Sequence, residues 1–285
     1  MTTTPITRDM VLAKANELPG FPGIIGAILA TIDDPEANLN DLTDLIKHDP
    51  AITARVIAFA NTAAEHTRRA AAIRDLYSAT SLIGIGRVRQ IALIGACIDF
   101  FNACGESGQA AHFAQHSVAV GVCAEEIALH IAAPISASNA LVAGLLHDIG
   151  QLWLYRFHPA AERNAWDQAL NHAEGIEETE RTAFGIDHAV VGGWLAAHWG
   201  LTPAMGAAIS HHHACDAALD QVLTLVIHVA EVLSNALDLT GRKENRVTHL
   251  SAAACRKLGL TWQEDARNLF GRIEARSRHA NTFLV

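Results

Sequence analysis

Aromatic residues make up only 6% of this 285-residue chain, and no long segment alternates β-branched with polar residues. That shortage argues against a sheet and leaves helices as the main element. The five cysteines (Cys97, Cys104, Cys123, Cys215 and Cys255) are odd in number and contain no C-x-x-C pair, which excludes a disulfide framework and a thiolate zinc site. Reduced intracellular thiols are the simplest reading, and the chain is expected in the cytoplasm. The polar stretch 1–9 lacks the apolar core of a signal peptide, and no run approaches the roughly 20 apolar residues of a membrane span. Charged residues are few, at 18%, and the formal net charge is −9. A phosphate backbone would be repelled in bulk, and only short basic patches occur, at Arg68-Arg69 and at Arg87 with Arg89, so no nucleic-acid partner is expected.

What is present in quantity is apolar residue, 50% of the chain, spaced for helices. Ile24, Ile25, Ile28 and Leu29 recur at helical spacing until Asp33-Asp34-Pro35. Asn40 is placed to cap a short helix carrying Leu42, Leu45 and Ile46. Asp49 caps and Pro50 opens a helix with Ile52, Val56, Ile57, Phe59 and Ala60 inward, and Asn61 is read as tying a loop. Asp75 caps the next helix and Gly84 closes it. A weak break at 102–108 precedes a helix in which His112 and His116 share a face. The chain is expected to divide into 1–106, 107–240 and a helical extension, 241–285, that begins with Gly241-Arg242-Lys243-Glu244-Asn245 and is anchored by Trp262 and Leu269.

Histidine is the informative residue. Twelve of the sixteen fall between His112 and His228, around Gly144-Leu145-Leu146-His147-Asp148-Ile149-Gly150. An imidazole next to a carboxylate at the end of an apolar run is costly to bury unless something binds both. A divalent cation would, and a site for one or two such ions needs several imidazoles and a carboxylate converging from different helices. The candidates in chain order are His116, His147, Asp148, His188, His212, His213 and Glu231. His130, His158, His172, His198 and His249 are read as ordinary surface or core residues, and Trp194 and Trp199 as core.

The run Ile46 to Arg55, of the form Ile-x-x-Asp-Pro-Ala-x-Thr-Ala-Arg, stands between Leu18-Pro19 and Asn61, and a later helix ends in Leu82-Ile83-Gly84. With the His-Asp half that follows, it resembles the HDOD family, signalling relatives of the HD phosphohydrolases. The resemblance implies an all-α fold in which an N-terminal bundle of about five short helices packs on a C-terminal HD-like bundle. It also implies a centre for one or two divalent ions (Fe, Mn, Zn or Mg) in which the Asp of the pair bridges. Three departures bear on activity: Glu231 replaces the usual late Asp, and Gln151 replaces a lysine three residues after Asp148. The Gly-Tyr-Pro signature of cyclic di-GMP phosphodiesterases is also absent, His213-Ala214-Cys215-Asp216 standing there instead. His112 stands where some two-metal relatives carry a glutamate. The expected function is therefore a regulatory or signal-transduction protein acting through contacts with a signalling or regulatory protein supplied in trans, its degenerate HD site holding a metal or ligand. The alternative is a metal-dependent phosphohydrolase acting on a nucleotide or other phosphate ester, with Asp148 as the catalytic candidate.

Overall fold

A computed structural model describes residues 5–33, 36–66, 72–105, 107–240 and 249–283, and every regular element among them is helical. The helices are α1 (Arg8–Ala15), α2 (Gly23–Asp33), α3 (Leu39–Ile46), α4 (Pro50–His66), α5 (Leu76–Ile83), α6 (Ile85–Cys104), α7 (Ser107–His130) and α8 (Ala137–Leu146). They continue with α9 (Ile149–Phe157), α10 (Pro159–His172), α11 (Ile176–Phe184), α12 (His188–His198), α13 (Pro203–His211), α14 (Val222–Ala236), α15 (Ala252–Leu258) and α16 (Trp262–Ala280). Asp34-Pro35, the basic pair Arg68-Arg69, Glu106 within the break at 102–108, and the segment Gly241 to Asn245 lie outside the described residues.

The expected start signals operate as capping chemistry requires. Asp49 accepts the Ile52 N–H at 3.0 Å with Pro50 opening α4. Asn61 holds both backbone groups of Ile73, donating to its carbonyl at 2.9 Å and accepting its N–H at 2.8 Å, so α4 is tied to the segment entering α5. There Asp75 accepts the Ser78 N–H at 2.8 Å, and Gly84, at φ +79°, turns the chain into α6. The cap of α3 is Asn38, not Asn40. Asn38 receives the Asn40 N–H at 2.8 Å while Asp41 reaches back to the Asn38 N–H, a reciprocal pair only Asn38 is placed to make. Asn40 instead accepts the Tyr77 hydroxyl at 2.6 Å.

Helix α6 is apolar around most of its circumference and accordingly buried. It contacts α2 and α4 on the N-terminal side and α7, α8 and α9 on the other. An N-terminal bundle of short helices thus packs on a C-terminal bundle around one buried core running from Ile6 to Ala280. Trp199, following α12, stacks on Phe21 with ring centres 4.8 Å apart and meets Phe100 edge-on at 5.6 Å, joining the two bundles. Helix α1, which the sequence pattern left unassigned, lies against α12, with the Ile6 N–H donating to the Phe184 carbonyl at 2.9 Å. Its apolar face is too short to stand out from its polar surroundings. Of the two tail anchors, Leu269 is fully buried and Trp262 meets the Phe270 ring. Arg272 donates to Glu126 at 2.8 Å and Arg276 to Glu125 at 2.7 Å and to Glu126, which clamps α16 on α7. No single helix among the described residues is long and apolar enough to cross a membrane; only α5 and α6 together meet that length, and they are bent by 115°.

Two close backbone approaches position the His-Asp pair. A Cβ on Gly144 would lie 2.7 Å from the Gly121 Cα, so α8 runs directly against α7. A Cβ on Gly150 would lie 2.0 Å from the His188 carbonyl oxygen and 2.6 Å from the Gly192 nitrogen, so the start of α9 is pressed on the start of α12. Backbone cannot yield to such a contact as a flexible side chain would. Gly150→Ala is therefore expected to cost about 3 kcal/mol or more by displacing α12, read as a lowered midpoint in chemical denaturation; an unchanged midpoint would show that the helices are not in contact there.

Candidate metal centre

Helix α8 ends at Leu146, and α9 begins at Ile149, leaving His147 and Asp148 at the break. Both are buried, His147 at 0% and Asp148 at 6% exposure, so whatever satisfies them must come from the protein or a ligand. His116 arrives from α7, His188 from the first turn of α12, His212 and His213 from the end of α13, and Glu231 from α14.

All seven residues singled out from the sequence meet around Asp148. Its Oδ2 lies 3.4 Å from His116 Nε2 and 3.3 Å from His147 Nε2, while Oδ1 lies 3.3 Å from His188 Nε2 and 3.5 Å from His212 Nε2. His213 completes the group, with Nε2 3.0 Å from His188 Nε2 and Nδ1 3.8 Å from Glu231 Oε2. Donor atoms close enough to share one ion come from Asp148 with His188, His212 and His213, from Asp148 with His116 and His147, and from His147 with His212 and Glu231. One carboxylate thus presents each oxygen to a different pair of imidazoles.

The outer nitrogens decide what the inner ones can do. His147 Nδ1 donates to the Gly144 carbonyl at 2.8 Å, His212 Nδ1 to the Ile209 carbonyl at 2.7 Å, and His188 Nδ1 to Glu180 Oε2 at 2.6 Å. A neutral ring whose proton is held on Nδ1 has only a lone pair on Nε2. Yet His188 Nε2 faces His212 Nε2 at 3.3 Å, and His147 Nε2 is buried with no hydrogen-bond partner. Lone pairs converging on a carboxylate in a buried space repel unless a cation stands among them, and this donor set of imidazoles and carboxylates fits a divalent ion.

The charges are consistent with this. Burial would lift the Asp148 carboxyl, but the facing His147 ring, with His116 and His188, outweighs it and holds the group well below the ordinary carboxylate range. Burial, then the adjacent His212 and His188 rings, push the His213 imidazole well below its usual value, which keeps it neutral and able to coordinate. Burial opposes charge on His188 too, but Glu180 and Asp148 raise that ring well above its usual value, so without an ion a proton on His188 Nε2 takes the place that a metal ion would fill.

Sequence reasoning missed the support behind His188. Glu180, on α11, is fully buried and accepts from both the His188 backbone N–H, at 2.7 Å, and its Nδ1. Glu162, on α10, is also fully buried beside it, and burial followed by the Glu180 charge pushes its carboxyl up to about 9. Both stand among polar neighbours in sequence, which give no sign of their burial. His228, three residues before Glu231 on α14, was given no role by the sequence. It donates from Nδ1 to the His212 carbonyl at 2.9 Å and accepts the Ser251 N–H at 3.1 Å on Nε2. His112 is exposed and belongs to none of the donor groups.

A cavity of about 570 Å³ opens on His116, Asp148, His188, His213 and Glu231, with Gln151 in its wall. The HDOD family profile matches residues 18–215 of the chain. The chain belongs to the HDOD family. Among solved structures, an HDOD domain protein of unknown function from Geobacter sulfurreducens is 21% identical, with a TM-score of 0.77 over 97% of this chain and 99% of its own. A Shewanella amazonensis protein classed as a phosphohydrolase is 22% identical, with a TM-score of 0.71 over 96% and 98%. A second protein from that organism, classed as a metal-dependent phosphohydrolase, is 19% identical, with a TM-score of 0.56 over 96% and 97%. These likenesses establish the HDOD fold. No curated protein matches the chain.

The buried Glu162 carboxyl carries a pH signature. Because the Glu162 carboxyl is raised from 4.5 to about 9 in the folded protein, its contribution to stability is full below about 4.5 and is lost as pH rises through about 9. Glu162→Gln, which stays neutral throughout, is expected to flatten the decline in melting temperature between pH 5 and 9.5. An identical decline in wild type and variant would place the titration elsewhere.

Proposed function

We propose that this HDOD protein is a regulatory, signal-transducing module whose HD-type centre holds one or two divalent ions, and that it acts on a signalling or regulatory protein supplied in trans. The reading is carried by one observation, the convergence of the Nε2 atoms of His147, His188 and His212 on Asp148 with their Nδ1 protons tied outward. An imidazole-rich set with few carboxylates suits iron, manganese or zinc better than magnesium. His116, His147 and Asp148 would hold one ion, and Asp148 with His188, His212 and His213 another.

A second reading, a phosphohydrolase, is favoured by the cavity that reaches the donors directly. A bound ion there supplies a Lewis acid and an acidified water. The chain's own groups would then orient a phosphate ester, with Gln151 offering a hydrogen bond where a lysine would have offered charge. That missing charge is why regulation is the leading reading.

Protein purified without a histidine tag or chelator is expected to carry near-stoichiometric iron, manganese or zinc, lost in Asp148→Asn, as measured by elemental analysis. Metal-free protein even after incubation with Mn²⁺ would overturn the centre. Hydrolysis of bis(p-nitrophenyl) phosphate by the Mn²⁺-loaded protein above the Asp148→Asn background would move the conclusion to the second reading.

A further inference from the structure

The cavity extends past the metal donors, and its outer wall is not explained by metal binding. His112 and Phe113 of α7, Tyr155 and Arg156 of α9, and Arg163 and Trp166 of α10 all line it. Arg156 and Arg163 are seven residues apart, on either side of the α9 to α10 turn at His158, and both are exposed whereas Asp148 and His188 are buried. They therefore stand toward solvent and the donors at the floor.

Several other arginines are matched by carboxylate, Arg55 by Asp99, Arg181 by Asp187 and Glu178, and Arg272 and Arg276 by Glu126 and Glu125, while Arg87 is held by Gln90 and Arg89 by the Thr31 carbonyl. Arg156 and Arg163 make no hydrogen bond or ion pair among the described residues. A guanidinium cannot shed its charge, and its planar fork is suited to phosphate oxygens. Beside them the indole N–H of Trp166 is closed off from solvent and has no acceptor. Two uncommitted cations and an orphaned donor thus share one wall. The other carboxylates lining the cavity, Glu174 and Glu177, belong to the turn between α10 and α11 and the first turn of α11.

We propose that this cavity binds a nucleotide with at least two phosphoryl groups, one at the metal donors and another on Arg156 and Arg163, with Trp166 and its aromatic neighbours receiving the base. Inorganic phosphate would leave the aromatic wall unused, and a nucleoside would leave the arginines unused. A volume of about 570 Å³ lies within the range of small-molecule sites. Aromatic side chains take bases by stacking irrespective of sequence. The floor contact rests on the metal reading above; the arginine and tryptophan subsite does not.

The test is calorimetric titration of the full chain, loaded with Mn²⁺, using the non-hydrolysable α,β-methylene analogues of ADP and GDP, with adenosine, guanosine and pyrophosphate as controls. At least one analogue is expected to bind about tenfold or more tightly than its nucleoside and than pyrophosphate. The double variant Arg156→Gln with Arg163→Gln, both exposed positions, is expected to lose about tenfold or more of that affinity while keeping wild-type metal content and melting temperature. Trp166→Leu is expected to abolish the preference over pyrophosphate. Failure of both analogues to bind, or undiminished affinity in the arginine variant, would overturn the proposal. Arginine-dependent binding in protein that takes up no metal would support the subsite and assign the failure to the metal reading alone.

Discussion

The constraint on which the centre depends is the burial of one carboxylate. Asp148 sits in the interior, and an isolated carboxylate there would neutralise itself or unfold its surroundings. It stays ionised because imidazoles from α7, from the α8 to α9 break, and from α12 and α13 face its two oxygens. Those elements must then be brought within a few ångströms of one another. The glycine contacts between α7 and α8 and between α9 and α12 do so with backbone rather than with adaptable side chains.

Around this charge the protein builds a second layer that fixes ring orientation. Main-chain carbonyls hold the His147 and His212 rings, and the buried Glu180 carboxylate holds His188. The carbonyl anchors are local, three residues back in each case, and follow from the helix ends themselves. The Glu180 anchor comes from a different helix and obliges α11 to dock, with Glu162 kept in its neutral form beside it. Rigid orientation of ligands by such partners governs affinity as much as the ligands do.

Local chemistry explains what was legible in the chain. Asp49-Pro50, Asp75 and Asn61 act through neighbours close in sequence, so their roles could be read directly, as could the clustering of imidazoles about His147-Asp148. The Asn38 cap was missed because two asparagines two apart offer the same signal, and only the backbone angle separates them. Glu162 and Glu180 were illegible for another reason: a glutamate in a polar stretch carries no mark of burial, which arises only when α10 and α11 fold over His188. The uncommitted state of Arg156 and Arg163 is likewise a fact about absent neighbours in space.

The path from His212 through His228 to Ser251 bears on where this module can be divided. The family likeness stops at residue 215, yet Glu231 lies on α14, and the His212 carbonyl is held by His228, itself engaged by the backbone that enters α15. A cut drawn where recognisable ancestry ends would pass through the histidine cluster itself, stripping a carboxylate and freeing the loop that carries two imidazoles. Kinship in sequence and autonomy in folding have different borders in this chain.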